Sequence, residues 1–157
     1  MASTFKWATP GSWSAGFGSS DLNSLANATT ALSSLTEPQI DTTSSLELYV
    51  QFEFVGGSIS PSGPADVVVF LIPRDSANAA YIDGEATGTA ANQPIWMQMP
   101  HSVLGLRTKA SSTQLVMGLP ILLPPNRWKI GMMNRAGVSL AASGNQVNWR
   151  LLTEASV

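Results

Sequence analysis

Hydrophobic and polar residues alternate most cleanly between Leu46 and Phe54. Leu46, Leu48, Val50, Phe52 and Phe54 interleave with Glu47, Tyr49, Gln51 and Glu53. A period of two puts successive side chains on opposite faces, so this stretch predicts a half-buried strand from Ser45, ended by Gly56-Gly57. Ala65 to Ile72 is almost continuously apolar and predicts a central strand, stopped by Pro73. Further short strands are expected at Ala80–Ile82, before the Asp83-Gly84 turn, and at Ile95–Met99 and Val103–Thr108 around Pro100. Thr113–Leu123 is another apolar run, broken by Pro120. Beyond Pro124-Pro125-Asn126, the pattern predicts a hairpin of Arg127–Asn134 and Val138–Ala141 across Arg135-Ala136-Gly137. A last strand, Gln146–Thr153, follows the turn Ser143-Gly144-Asn145.

The N-terminal part reads differently. Leu22, Leu25, Leu32 and Leu35 carry a weak helical spacing behind a capping Ser20-Asp21, but Thr and Asn at 27–30 interrupt it. Extended chain with one helical turn is expected there. Asn27-Ala28-Thr29 matches a glycosylation acceptor, read as a chance match because no signal peptide is recognised. Residues 1–18 read as an arm. Phe5, Trp7, Trp13 and Phe17 are scattered among small and polar residues without one periodicity. They need a docking place, either on the chain's own core or on a neighbouring subunit or partner, where Trp and Phe make good anchors. With eight or nine short strands and no long helix, the expectation is an all-β fold. It is an antiparallel two-sheet sandwich or barrel, with one domain over residues 19–157 behind the arm.

Composition narrows the chemistry. Of 157 residues only 11% are charged, against about 25% in a typical domain. There is no Cys and a single His, which excludes disulfides, thiol nucleophiles, cysteine-ligated metals and a multi-histidine site within one chain. The net charge of −2 argues against a general nucleic-acid binder, and no apolar run approaches the ~20 residues of a membrane helix. No cofactor, nucleic acid or membrane partner is expected. Charge is uneven along the chain: residues 1–85 hold two basic and nine acidic side chains, −7, and residues 86–157 hold six basic and one acidic, +5. Either the halves interleave and pair internally, or a basic side built on Arg107, Lys109, Arg127, Lys129 and Arg135 meets an acidic partner or a sister subunit.

Catalytic patterns are sparse. His101 lies between Pro100 and Ser102 with no nucleophile elbow in the chain, and reads as a loop residue. Glu47 and Glu53 share a strand face but stand about 20 Å apart at ~3.3 Å per residue, too far for a glycosidase pair. Asp75, Asp83 and Glu85 lack calcium-loop spacing and read as turn residues. Gly16-Phe17-Gly18 lacks the third glycine of a phosphate cradle. Trp96, Trp128 and Trp149 suit a sandwich core better than a sugar platform, since Trp128 alternates with Ile130 and Met132, and Trp149 with Val147 and Leu151.

Four stretches resemble a known group: Leu22–Ser34, Ile40–Phe54, Val67–Ala86 and Gly118–Leu152. In order they give a Leu-Asn-Ser-Leu segment, an Ile-Asp-led strand ending Leu-Glu-Leu-Tyr, and a Leu-Ile-Pro strand end with a later Asp-Gly turn. Then come Leu-Pro-Pro-Asn-Arg-Trp-Lys-Ile and the closing Leu140-Ala141-Ala142-Ser143-Gly144-Asn145. This pattern, over residues 20–152, resembles small virion proteins of tailed bacteriophages. The resemblance implies a jelly-roll-like, non-enzymatic decoration or cement protein of the phage head, made in the host cytoplasm and carried on the virion exterior. It implies binding to neighbouring major capsid subunits and a homo-oligomer, a trimer in preference to a dimer. It transfers no active-site residue. Candidate contacts are Phe5, Lys6, Trp7, Trp13, Phe17, Arg107, Lys109, Arg127 and Arg135. The alternative is a carbohydrate-binding or host-recognition fibre or tail domain, which needs exposed aromatics such as Tyr49, Tyr81 or Trp96.

Overall fold

The computed structural model describes residues 5–7, 9–35, 40–43, 48–74, 88–90, 101–108 and 111–156. Among them are thirteen strands and no helix: β1 Phe5–Trp7, β2 Ser14–Ala15, β3 Thr30–Leu32, β4 Ile40–Asp41, β5 Leu48–Ile59, β6 Asp66–Pro73, β7 Gly88–Ala90, β8 His101–Gly105, β9 Ser112–Met117, β10 Ile121–Leu123, β11 Arg127–Arg135, β12 Gln146–Leu152 and β13 Glu154–Ser156. The expected strands at Ala80–Ile82 and Ile95–Met99 fall outside the described residues.

Two antiparallel sheets pack face to face. One runs β2-β12-β5 with β9 and β10 end to end along the far edge of β5; the other runs β7-β3-β11-β6-β8, with β4 beside β3 along β11. From β2 the chain passes to β3 and β4, to β5, to β6 and β8, to β9 and β10, to β11, and to β12. It thus crosses between the sheets along the path of a jelly roll of two Greek keys. Alternation decides what lies between the layers. Val50, Phe52 and Phe54 of β5 and Val147 of β12 face Val67, Val69 and Leu71 of β6 and Trp128, Ile130 and Met132 of β11 in one core. The near-continuous apolar run of β6 reflects burial on both faces, with Leu32, Phe70 and Ile72 forming a second cluster.

Three expectations change. Strand β5 runs through Gly56-Gly57 instead of ending there. These glycines permit close approach: a Cβ at Gly57 would collide with the Ser143 carbonyl, and one at Gly56 with the Phe54 ring. The expected hairpin of Arg127–Asn134 with Val138–Ala141 does not form: residues 138–141 are not a strand, and the chain crosses from β11 to β12 in the other sheet. Residues 136–145 are irregular, and several of their backbone groups pair with side chains. Buried Asn134 donates Nδ2 to the carbonyls of Leu25 and Val138, both at 2.9 Å, and accepts the Ala136 N–H at 2.9 Å. Asn145 does the same further on, donating to the Ala141 carbonyl and accepting from the Gly57 N–H. Gly137 and Gly144 take φ of +75° and +77°, which glycine adopts without Cβ strain. Third, from Gly11 on the expected arm is part of the sandwich. The Gly11 N–H donates to the Leu151 carbonyl, β2 pairs with β12, and Phe17 is buried in the core, so residues 11–18 form a sheet edge. Where one helical turn was expected, residues 19–24 form turns with the Asp21, Asn23 and Leu25 N–H groups on the carbonyls three residues back, and Asp21 ties them down by accepting from the N–H groups of Gly18 and Ser34 and from the Ser34 hydroxyl.

Candidate assembly surface

Large apolar side chains in water mark the surface that asks for an explanation. Leu115, Met117, Leu119 and Leu122 are 64%, 51%, 84% and 53% exposed, all along the β9–β10 edge of the five-stranded sheet. Val103 of β8 is also exposed, on the other sheet's edge.

Local chemistry sets this orientation. In β9 polar Gln114 points in beside Val116, while apolar Leu115 and Met117 point out. Buried Gln114 accepts the Arg107 N–H at 2.9 Å and donates to the Arg107 and Ser112 carbonyls at 3.3 and 3.2 Å. Its amide closes the loop before the strand as a backbone pair would. A slip of one residue would break those bonds while burying Leu115 and Met117, so Gln114 pins the register. Between β9 and β10 the ladder gains one residue. Met117 pairs with Glu53 but Ile121 with Val50, so Gly118-Leu119-Pro120 stand against Gln51-Phe52 as a bulge. The Gly118 N–H donates to the Phe52 carbonyl, and its own carbonyl accepts from the Gln51 side chain at 2.9 Å, leaving Leu119 turned to solvent.

Inboard of this edge the outer face is polar. Arg150 donates from Nε and a terminal nitrogen to Gln51 Oε1 at 3.0 and 2.7 Å, and its guanidinium lies 4.4 Å from the Trp13 ring centre. Glu53 accepts from Asn148 at 2.9 Å. One face of half-buried Trp13 is thus occupied by Arg150, which disfavours it as a sugar platform. Tyr49 is half-buried, and Tyr81 and Trp96 lie outside the described residues.

The remaining sequence candidates are dispersed. Phe5, Lys6 and Trp7 form β1, pairing in register with Ser156, Ala155 and Glu154 of β13. Phe17 is 1% exposed, so it serves the core and not a partner; its carbonyl accepts from Gln146. Arg107 is exposed beside the Gln114 amide, and Lys109 lies outside the described residues. Arg127 pairs with Asp41 at 3.1 Å and Arg135 with Asp66 at 3.3 Å, so part of the charge asymmetry along the sequence is paired across strands within the fold. The Asp41 carboxyl is held below its ordinary range chiefly by the Thr43 hydroxyl and N–H, with Arg127 adding to this. Trp128 is buried as its alternation indicated, its indole N–H on the Thr42 hydroxyl at 3.2 Å, and Trp149 packs against the core.

The apolar edge was missed because periodicity finds a strand without saying which side faces in. The alternation of Leu115 and Met117 with Gln114 and Val116 was the available signal. Comparison of the chain with protein-family models, curated proteins and solved structures gives no match.

Proposed function

We propose that the protein is a non-enzymatic structural component of a phage particle. In this reading it is a decoration or cement protein on the head exterior, which self-associates and binds neighbouring major capsid subunits. The observation that carries the reading is the apolar β9–β10 edge, whose exposure is imposed by a buried Gln and a bulge. A free-standing domain gains nothing from holding four large apolar side chains in water, whereas an assembling subunit does. The resemblance of the strand and turn pattern to small phage virion proteins and the jelly-roll path support the same reading. Within the Leu140–Asn145 block that carries part of the resemblance, Asn145 holds the Ala141 carbonyl and the Gly57 N–H. Repetition on a lattice would turn modest single contacts into avidity. The test is mass spectrometry of washed, purified particles, with this chain quantified against the major capsid protein. Many copies per particle are expected; its absence from particles refutes the proposal.

A further inference from the structure

The two sheets treat their outer faces differently. On the six-stranded sheet the outward Val68, Phe70 and Ile72 are 0%, 1% and 1% exposed, whereas the outward apolar residues of β9 and β10 are more than half exposed. The open face also resists the simplest kind of association. Pro120 lacks an N–H and the bulge breaks the ladder, so the edge is poorly suited to adding a strand. A partner must meet it through side chains.

We infer that this partner is a second copy of the chain, packed outer face to outer face on the five-stranded sheet about a two-fold axis. The inference rests on the self-association part of the function proposed above. Register supplies the first argument. Leu115 stands opposite Val55, Met117 opposite Glu53 and Leu122 opposite Tyr49, with the Leu119 bulge opposite Gln51-Phe52. Leu115 and Leu122 therefore lie three residues to either side of the level of Phe52. A two-fold axis crossing the strands at that level sets Leu115 against Leu122 of the other copy and Met117 against its Leu119, which is the self-complementarity an isologous contact requires. Charge is the second argument. The apolar row carries no ion, so apposition brings no like charges together. Glu53 and Arg150 stand on adjacent strands, one on each side of the same level, since Arg150 pairs with Gln51. The axis moves each Glu53 beside Arg150 of the other copy. Size is the third. The exposed apolar area, on the order of 400 Å², matches the apolar half of one side of a standard interface of about 800 Å² per partner.

The test is sedimentation of the full-length chain across a concentration series, with circular dichroism to confirm folding. The wild-type chain is expected at twice its own mass. Leu119→Asp, on a solvent-facing bulge, should raise the dissociation constant about 100-fold and leave the spectrum unchanged. Glu53→Arg and Arg150→Glu should each weaken the pair, and the double reversal should regain part of the loss. A wild-type chain at single mass throughout, or a complex indifferent to Leu119→Asp, overturns the inference. A monomer that coats particles through Leu119 overturns the pairing and leaves the virion reading standing. A Leu119-dependent dimer absent from washed particles supports the pairing and sinks that reading.

Discussion

Replacing Asn134 by alanine should be among the most damaging single changes to this fold. The side chain is fully buried, and both its donors and its acceptor are used, at 2.9 Å each. It ties the 22–28 loop to the crossover between β11 and β12. Alanine would strand the Val138 carbonyl and the Ala136 N–H, each at about 1–3 kcal/mol if it stays dry, while the Leu25 carbonyl keeps its second partner, the Leu140 N–H at 3.0 Å. The Val138 site is only partly buried and water can serve it, so the loss should total about 2–4 kcal/mol. At this chain length that lowers Tm by about 6–12 °C, read by calorimetry or by the urea midpoint. Asn134→Asp separates hydrogen bonding from shape. At neutral pH it sets a carboxylate against two carbonyl oxygens and should cost more than alanine. Its folded pKa would be raised above the unfolded value, so the penalty grows with pH and shrinks towards about pH 4, where the protonated acid can donate to one carbonyl. A loss below about 1 kcal/mol for alanine, or identical behaviour of the two variants at both pH values, would refute this reasoning.

Three further predictions concern single contacts. Gly131→Ala places a methyl against the Phe70 ring and should cost about 1–3 kcal/mol, partly recovered by combining it with Phe70→Leu, as a double-mutant cycle would show. The buried indole N–H of Trp149 meets no acceptor, so Trp149→Phe should leave the urea midpoint unchanged or raise it. The lowered pKa of Asp41 means that its ionised form stabilises the fold above the ordinary carboxylate range and that this contribution fades as pH falls through the lowered value. Asp41→Asn should therefore be less stable than wild type at pH 7, with the gap closing in acid; a gap independent of pH in denaturant titrations contradicts this.

Sequence pattern and fold agree where alternation has one physical cause. Strand β5 shows its inward Val50, Phe52 and Phe54 in plain view because one face is buried and the other is not. The run from Val67 to Ile72 marks β6 as central because both its faces are covered. The reading failed where one residue type serves two purposes. Gly56-Gly57 looked like a strand end, but the same absence of Cβ lets the strand pass beneath Ser143 and Ala141. The loop after Arg135 looked like a hairpin, because nothing in a linear pattern shows that Asn134 and Asn145 will saturate backbone groups distant in sequence. The apolar edge was legible as a strand but not as a surface. Its orientation depends on Gln114 and a one-residue bulge, both fixed by long-range pairing. The basic residues fall between these cases: their imbalance was visible, and their pairing with Asp41 and Asp66 needed the β4–β11–β6 neighbourhood.

The pairing of β1 with β13 has a practical consequence. Phe5 lies opposite Ser156 in an antiparallel ladder, so the two ends of the described chain are neighbours, with Cα atoms about 5 Å apart. The polypeptide is in effect a nearly closed ring. A short linker could join its ends into a cyclic or permuted chain without stretching the sandwich. Segments leading away from Phe5 and from Ser156 leave the molecule from one spot.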